Sequence, residues 1–134
     1  MTKEERIEYV NYRMASAYTT FDAAKVLANN GFWNSAVNRL YYSVFYAVNA
    51  LLVHNEIYTN SHTGTRSQFS LRFIKTGSID KKFGKLLTEL YDWRQKGDYE
   101  NIFDYDAESV KPLYDSVLEM IDEIDGIIKL TTDL

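Results

Sequence analysis

The side chains of this sequence that can do chemistry near neutral pH are few, and they fall in three places. His54 and His62 are the only groups whose ordinary pKa lies close to 7. His62 opens the segment His62 to Gly97, which holds eight basic and three acidic residues, net +5. At a helix start, free backbone amides together with Arg66, Arg72 or Arg94 can hold a phosphate beside that histidine. Alternatively, His62 bonds a loop carbonyl or helps to cap the helix. His54 ends an apolar stretch, where it simply complements a helix dipole. The second place is NRLYYSVFYAVNALL, Asn38 to Leu52, which carries Arg39, Tyr41, Tyr42 and Tyr46 inside a nearly continuous apolar run. The third is Arg94, followed by Asp98 and Tyr99. Arg94 and Asp98 are spaced either for a terminal salt bridge on a helix or for a shared site.

Other chemistries are excluded or unsupported by residue type. There is no cysteine, so disulfides, thiolate metal sites and thiol nucleophiles are absent. No Glu-x-x-His pair, HExxH, glycine-rich phosphate loop or EF-hand occurs, and no metal or other cofactor is expected. Glu119, Asp122, Glu123 and Asp125 read as an outer solvated helix face rather than an acid/base pair.

The elements that must position these residues are helical, because apolar residues recur at threes and fours along the chain and Pro112 is the single proline. A first helix is predicted from about Lys3 to Asn29, with Asn30-Gly31 as its stop. A second runs from Trp33 or Asn34 to about His54. After the polar loop NEIYTNSHTG, Ser61 or Thr63 caps a third, with Phe69, Phe73 and Ile74 on one face and a stop at Thr76-Gly77. Ser78 or Asp80 caps a fourth that ends at Lys96-Gly97. DYENIFDYD then reads as a loop. The last helix starts between Asp106 and Ser109, keeps Pro112 near its first turn, and frays at TTDL. The fold class is all-α: an up-and-down bundle of about five helices forming one domain over residues 1–134.

On the second helix, Ala36, Leu40, Val44, Ala47 and Leu51 form one apolar face, widened by Val37, Tyr41, Phe45, Val48 and Leu52. Trp33 and Tyr41 are expected in the core. The remaining strip, Asn38, Arg39, Tyr42, Tyr46 and Asn49, either lines a polar cleft or packs as a helix interface. In the second case the tyrosine hydroxyls are satisfied at its rim and Arg39 pairs with an acid of the last helix.

At 134 residues, 46% hydrophobic and 25% charged, the chain has the makings of a single globular domain. MTKEERIEYV lacks the pattern of a signal peptide and no run is long enough to span a membrane, so the cytoplasm is the expected location. Net charge is −4, but Asp98 to Leu134 carries eleven acidic and two basic residues, net −9. Set against the basic middle, this means either a functional positive face or helices that pair inside the domain.

Four pieces in order, A-x-x-R-L-Y-Y-S-V-F-Y-A-V-N-A-L-L (Ala36 to Leu52), SHTG (Ser61 to Gly64), F-I-K-T-G (Phe73 to Gly77) and L-x-x-W-R-Q-K-G-D-Y (Leu90 to Tyr99), resemble the HEPN domain family. The likeness is to its small stand-alone bacterial and archaeal members. The resemblance implies a helical bundle that forms a homodimer, is often encoded beside a minimal nucleotidyltransferase, and in several branches is a metal-independent ribonuclease toxin. Those nuclease branches place a histidine after an arginine with four to six residues between them. The logic is that a cation stabilises the crowded phosphate while a group titrating near neutrality moves protons. Neither His54 nor His62 has an arginine at that distance upstream. Tyr46 follows Arg39 after six residues, where related sequences often carry histidine, and Asp98-Tyr99 follow Arg94 where those branches have His-x-Tyr. Tyrosine and aspartate are poor proton carriers at pH 7.

Two expectations result. The favoured one is a nucleotide- or RNA-binding or protein-interaction module that works with a nucleotidyltransferase in a toxin–antitoxin-like or stress system. The other is a ribonuclease toxin with a degenerate motif. The ribonuclease reading uses Arg39 or Arg94 with His62 or Tyr46; across the readings, His62, Arg94 and Asp98 are the candidate catalytic residues and Arg39, Tyr42, Tyr46, Arg66 and Tyr99 the candidate nucleotide- or RNA-binding residues. No membrane is expected as a partner.

Overall fold

The structure is a computed structural model that describes residues 1–100 and 103–132. Its described elements are all helical: α1 (Lys3–Asn29), α2 (Trp33–His54), α3 (His62–Phe69), α4 (Lys81–Tyr99), the single turn α5 (Ala107–Val110) and α6 (Leu113–Leu130). Local chemistry accounts for most of the boundaries. Thr2 and Glu5 close a reciprocal cap at the start of α1. Asp80 Oδ1 accepts the amide of Lys82 at 2.9 Å to open α4. Gly31 and Gly77 take φ of 81° and 80°, a conformation open to glycine at little strain, and the chain turns at both.

α2 is the axis of the bundle. It packs against α1, α4 and α6. Ala36, Val37, Leu40, Tyr41, Val44, Ala47, Val48, Ala50, Leu51 and Leu52 are all fully buried, so the neighbouring helices cover its apolar circumference within one chain. The amphipathic stripe of α6, Val117, Met120, Ile121, Ile124 and Ile128, closes the core from behind. Among the described residues, the two buried polar ones, Ser43 and Thr65, are satisfied in place. Ser43 donates to the Leu40 carbonyl at 2.7 Å, and Thr65 shares a 2.6 Å hydrogen bond with Thr59.

Three boundaries differ from expectation. α3 does not stay α-helical to its end: Ser70–Ile74 is wound as a π-helix, in which the Lys75 amide reaches the Ser70 carbonyl at 2.8 Å. α4 runs through Gly97 to Tyr99. Gly97 is there for close approach rather than as a stop, since a Cβ would lie 3.3 Å from the Tyr105 ring and 3.6 Å from Asn34. The final helix is interrupted at Lys111-Pro112, because proline has no amide to continue the ladder, and Asp106 caps the single turn that precedes the break. Of the expected loop after α4, Asn101 and Ile102 lie outside the described residues, as do Asp133 and Leu134 of the expected frayed end.

Asn34 ties this corner together. Its Nδ2 donates to the carbonyls of Gly97 at 3.2 Å and Phe103 at 2.8 Å, while its Oδ1 accepts the Tyr105 amide at 2.8 Å. Tyr105 in turn stacks on Trp93 with ring centroids 4.8 Å apart. The last turns of α4, which carry Arg94 and Asp98, are thereby held against the start of α2.

Candidate functional site

The SHTG motif is a helix start. Ser61 Oγ accepts the Gly64 amide at 2.9 Å, and a Cβ at residue 64 would sit 2.9 Å from that oxygen, so a larger residue there would require the Ser61 side chain to shift. The cap fixes His62 as the first residue of α3 and turns its ring onto α2. There it stacks on Phe45 at 4.6 Å and on Tyr41 at 5.7 Å, and meets the edge of Tyr42 at 5.9 Å.

A 2.6 Å hydrogen bond joins His62 Nδ1 to the Tyr41 hydroxyl. Burial pushes the Tyr41 pKa upward, so the phenol keeps its proton. Among the described residues, Nδ1 is the only hydrogen-bond partner of that fully buried hydroxyl. Tyr41 therefore donates to Nδ1, and the ring proton of His62 sits on Nε2. Burial, then the charges of Arg94 and Arg66, lower the His62 pKa below its ordinary value. The positive end of the helix it opens acts in the same direction. At neutral pH His62 is an uncharged donor through Nε2.

Two guanidinium groups flank it. That of Arg66 lies 3.8 Å from the centre of the Tyr91 ring, and its Nε is buried without a hydrogen-bond partner. The Arg94 guanidinium lies 5.3 Å from Tyr42, 5.8 Å from Tyr41 and 5.8 Å from the exposed Tyr99. Its Nε donates to Asp98 Oδ2 at 3.1 Å, and Asn38 Nδ2 donates to the same oxygen at 2.9 Å. Asp98 thus orients Arg94 and joins α4 to α2. Arg39 sits on Tyr42 at 5.1 Å and donates twice to Asn38 Oδ1, at 2.8 and 3.0 Å. Among the described residues it makes no ion pair with α6, contrary to the interface reading. The guanidinium instead stays beside the tyrosines.

Tyr42 is the meeting point of the sequence candidates: Arg39, Arg94 and His62 all contact its ring. Tyr46 lies one turn further along α2, tilted against Tyr42 at 5.8 Å. Neither hydroxyl of this pair has a hydrogen-bond partner among the described residues, so they are not satisfied at a packed rim. Arg72 is not part of the cluster; it is exposed on the π-helical segment and reaches only Gln68. His54 bonds Thr131 at 2.7 Å and stands apart as a structural clip between α2 and α6.

From the sequence, Tyr41 reads as core but not as the partner of His62, and Tyr91 and Arg13 carry no site reading. Only the approach of α3 to α2 reveals the Tyr41 contact. Arg13 had a faint local signal, four residues after Tyr9 on α1. Among the described residues no group of three or more His, Asp or Glu is placed to hold a metal ion, and no helix is long and apolar enough to cross a membrane.

The all-helical bundle is the class of structure to which the sequence comparisons also lead. The HEPN domain family's sequence model matches residues 10–127, and the chain belongs to that family. A Thermotoga maritima protein named only as a UPF0332 protein is 37% identical over 132 residues, covering 98% of this chain and 96% of its own. Two proteins of Methanocaldococcus jannaschii, each named "Putative toxin", are 36% identical over 97 residues and 30% over 113. These cover 72% of this chain and 66% of the relative, and 84% of each, respectively.

Proposed function

We propose that this HEPN domain binds RNA or a nucleotide at the face formed by His62, Arg66, Arg94 and Tyr42, with little turnover of its own. The relatives' names support a toxin–antitoxin setting with an antitoxin partner, for which a minimal nucleotidyltransferase is the candidate that the family resemblance supplies. The observation that carries the reading is the Tyr41 to His62 hydrogen bond. Accepting a proton at Nε2 would first require the ring proton to move to Nδ1, which strips the buried Tyr41 hydroxyl of its acceptor. His62 is accordingly suited to donate to a phosphate oxygen and poorly suited to act as a general base. Arg66 and Arg94 supply the charge that an anion needs.

A second reading has its own support. His62 comes from α3 to meet the same Tyr42 ring as Arg94, which puts an arginine and a histidine together in space although the expected spacing in sequence is missing. That is the arrangement a metal-independent ribonuclease would use.

One set of measurements separates the two. Titration of a labelled RNA oligomer should show weak, salt-dependent binding, with Arg94→Ala lowering affinity about tenfold and flattening the salt slope by about one. Incubation of RNA with the protein and a chelator should leave it largely intact. Brisk cleavage that disappears in His62→Ala or Arg94→Ala would establish the nuclease. Growth arrest with RNA decay on induced expression would agree with it.

A further inference from the structure

We infer that the binding face continues past Tyr42 onto α1, where Arg13 forms a second cation–aromatic station, and that the ligand is single-stranded RNA longer than one nucleotide. This rests on the RNA reading above and extends it. The guanidinium of Arg13 lies 5.0 Å from the ring of Tyr46, 5.3 Å from Tyr9 and 5.8 Å from Tyr12. It is fixed in place by a hydrogen-bond chain. Arg13 Nε donates to the Tyr9 hydroxyl at 3.1 Å, and that hydroxyl donates to Asn49 Oδ1 on α2 at 2.7 Å. The chain uses Nε alone, so among the described residues both Nη groups keep their donors free.

No carboxylate competes for this charge. Among the described residues, Arg13, Arg39 and Arg66 make no ion pair, whereas Arg6 pairs with Glu56 and Lys82 with Glu119. Tyr12 is 65% exposed. Beside it a surface depression of about 380 Å³ is lined by small residues of α1 including Ala15, Ser16 and Thr19. The two stations are continuous through the Tyr42–Tyr46 contact, and one helical turn of α2, about 6 Å of rise, separates them. Alternating cations and aromatic faces along a shallow track suit a single strand, which presents a charged phosphate and an unpaired base at each step. A duplex hides those base faces. A mononucleotide fills the first station only.

The test measures binding of AMP by calorimetry, and of a labelled eight-residue RNA single strand and its duplex by anisotropy, at low and moderate salt. Arg13→Ala should weaken the single strand about tenfold, lower its salt slope by about one, and leave AMP binding unchanged. Tyr12→Ala, an exposed substitution that does not threaten the fold, should weaken the single strand in the same selective way. Arg94→Ala should weaken both ligands, and the duplex should bind less well than the strand. If Arg94→Ala weakens the strand but neither Arg13→Ala nor Tyr12→Ala does, the second station is refuted and the first reading survives. If the native protein binds no RNA even at low salt, both fall. A change in self-association with RNA binding unaltered would also overturn the inference, making the α1 face a protein contact.

Discussion

His62 is held neutral by its surroundings, and this has a consequence for stability. A histidine whose pKa is lowered on folding leaves the unfolded chain with the greater proton uptake as pH falls below about 6.5, so stability decreases there and is fully present above it. His54 shifts in the same direction, through burial and then the charge of Arg6. Urea midpoints should therefore drop between pH 7.5 and 5.5. They should drop less in His62→Gln, whose amide oxygen can still accept from Tyr41 without titrating. An equal drop in the two proteins would mean that His62 keeps an ordinary pKa. The meeting of His62 with Arg94 was foreseeable from a helix start inside a basic segment, since both signals are local. The Tyr41 partnership was not, because a residue on the apolar face of α2 looks like core until the approaching helix is known.

Helix limits were legible where the stop is a property of a few adjacent residues, as at Ser61, Asp80, Gly31 and Gly77. They were misread where a glycine serves a neighbour instead, as Gly97 does for Tyr105 and Asn34, and where a ladder changes pitch without any unusual residue, as between Ser70 and Ile74. Asn34 is the element-level counterpart of His62. Its three hydrogen bonds join α2, α4 and the segment before α5. Asn34→Ala should lower unfolding free energy by about 2 kcal/mol, measured by urea melts. Because Arg94 and Asp98 sit on the turns so anchored, RNA affinity should fall as well. Loss of stability without loss of affinity would show that the end of α4 keeps its place unaided.

At the scale of the whole molecule, the homodimer implied by the family resemblance does not rest on an uncovered helix, since this chain buries the apolar face of α2 by itself. The remaining reasons are family membership and the strip of tyrosines with unpaired hydroxyls. Light scattering at micromolar concentration should give twice 15.6 kDa, and a result of 15.6 kDa alone would reject the dimer. The charge asymmetry of the sequence is expressed in part as pairing inside the domain. Lys82 on α4 pairs with Glu119 on α6 at 2.7 Å, while the arginines around Tyr42 remain without carboxylate partners except for Arg94. α6 carries Glu119, Asp122, Glu123 and Asp125 and packs against α2, whose leftover side is the tyrosine strip. For the RNA ligand proposed above, repulsion from α6 and attraction to the arginines around Tyr42 would exert a torque that turns the particle before contact, so that an acidic helix would govern how many collisions arrive the right way round.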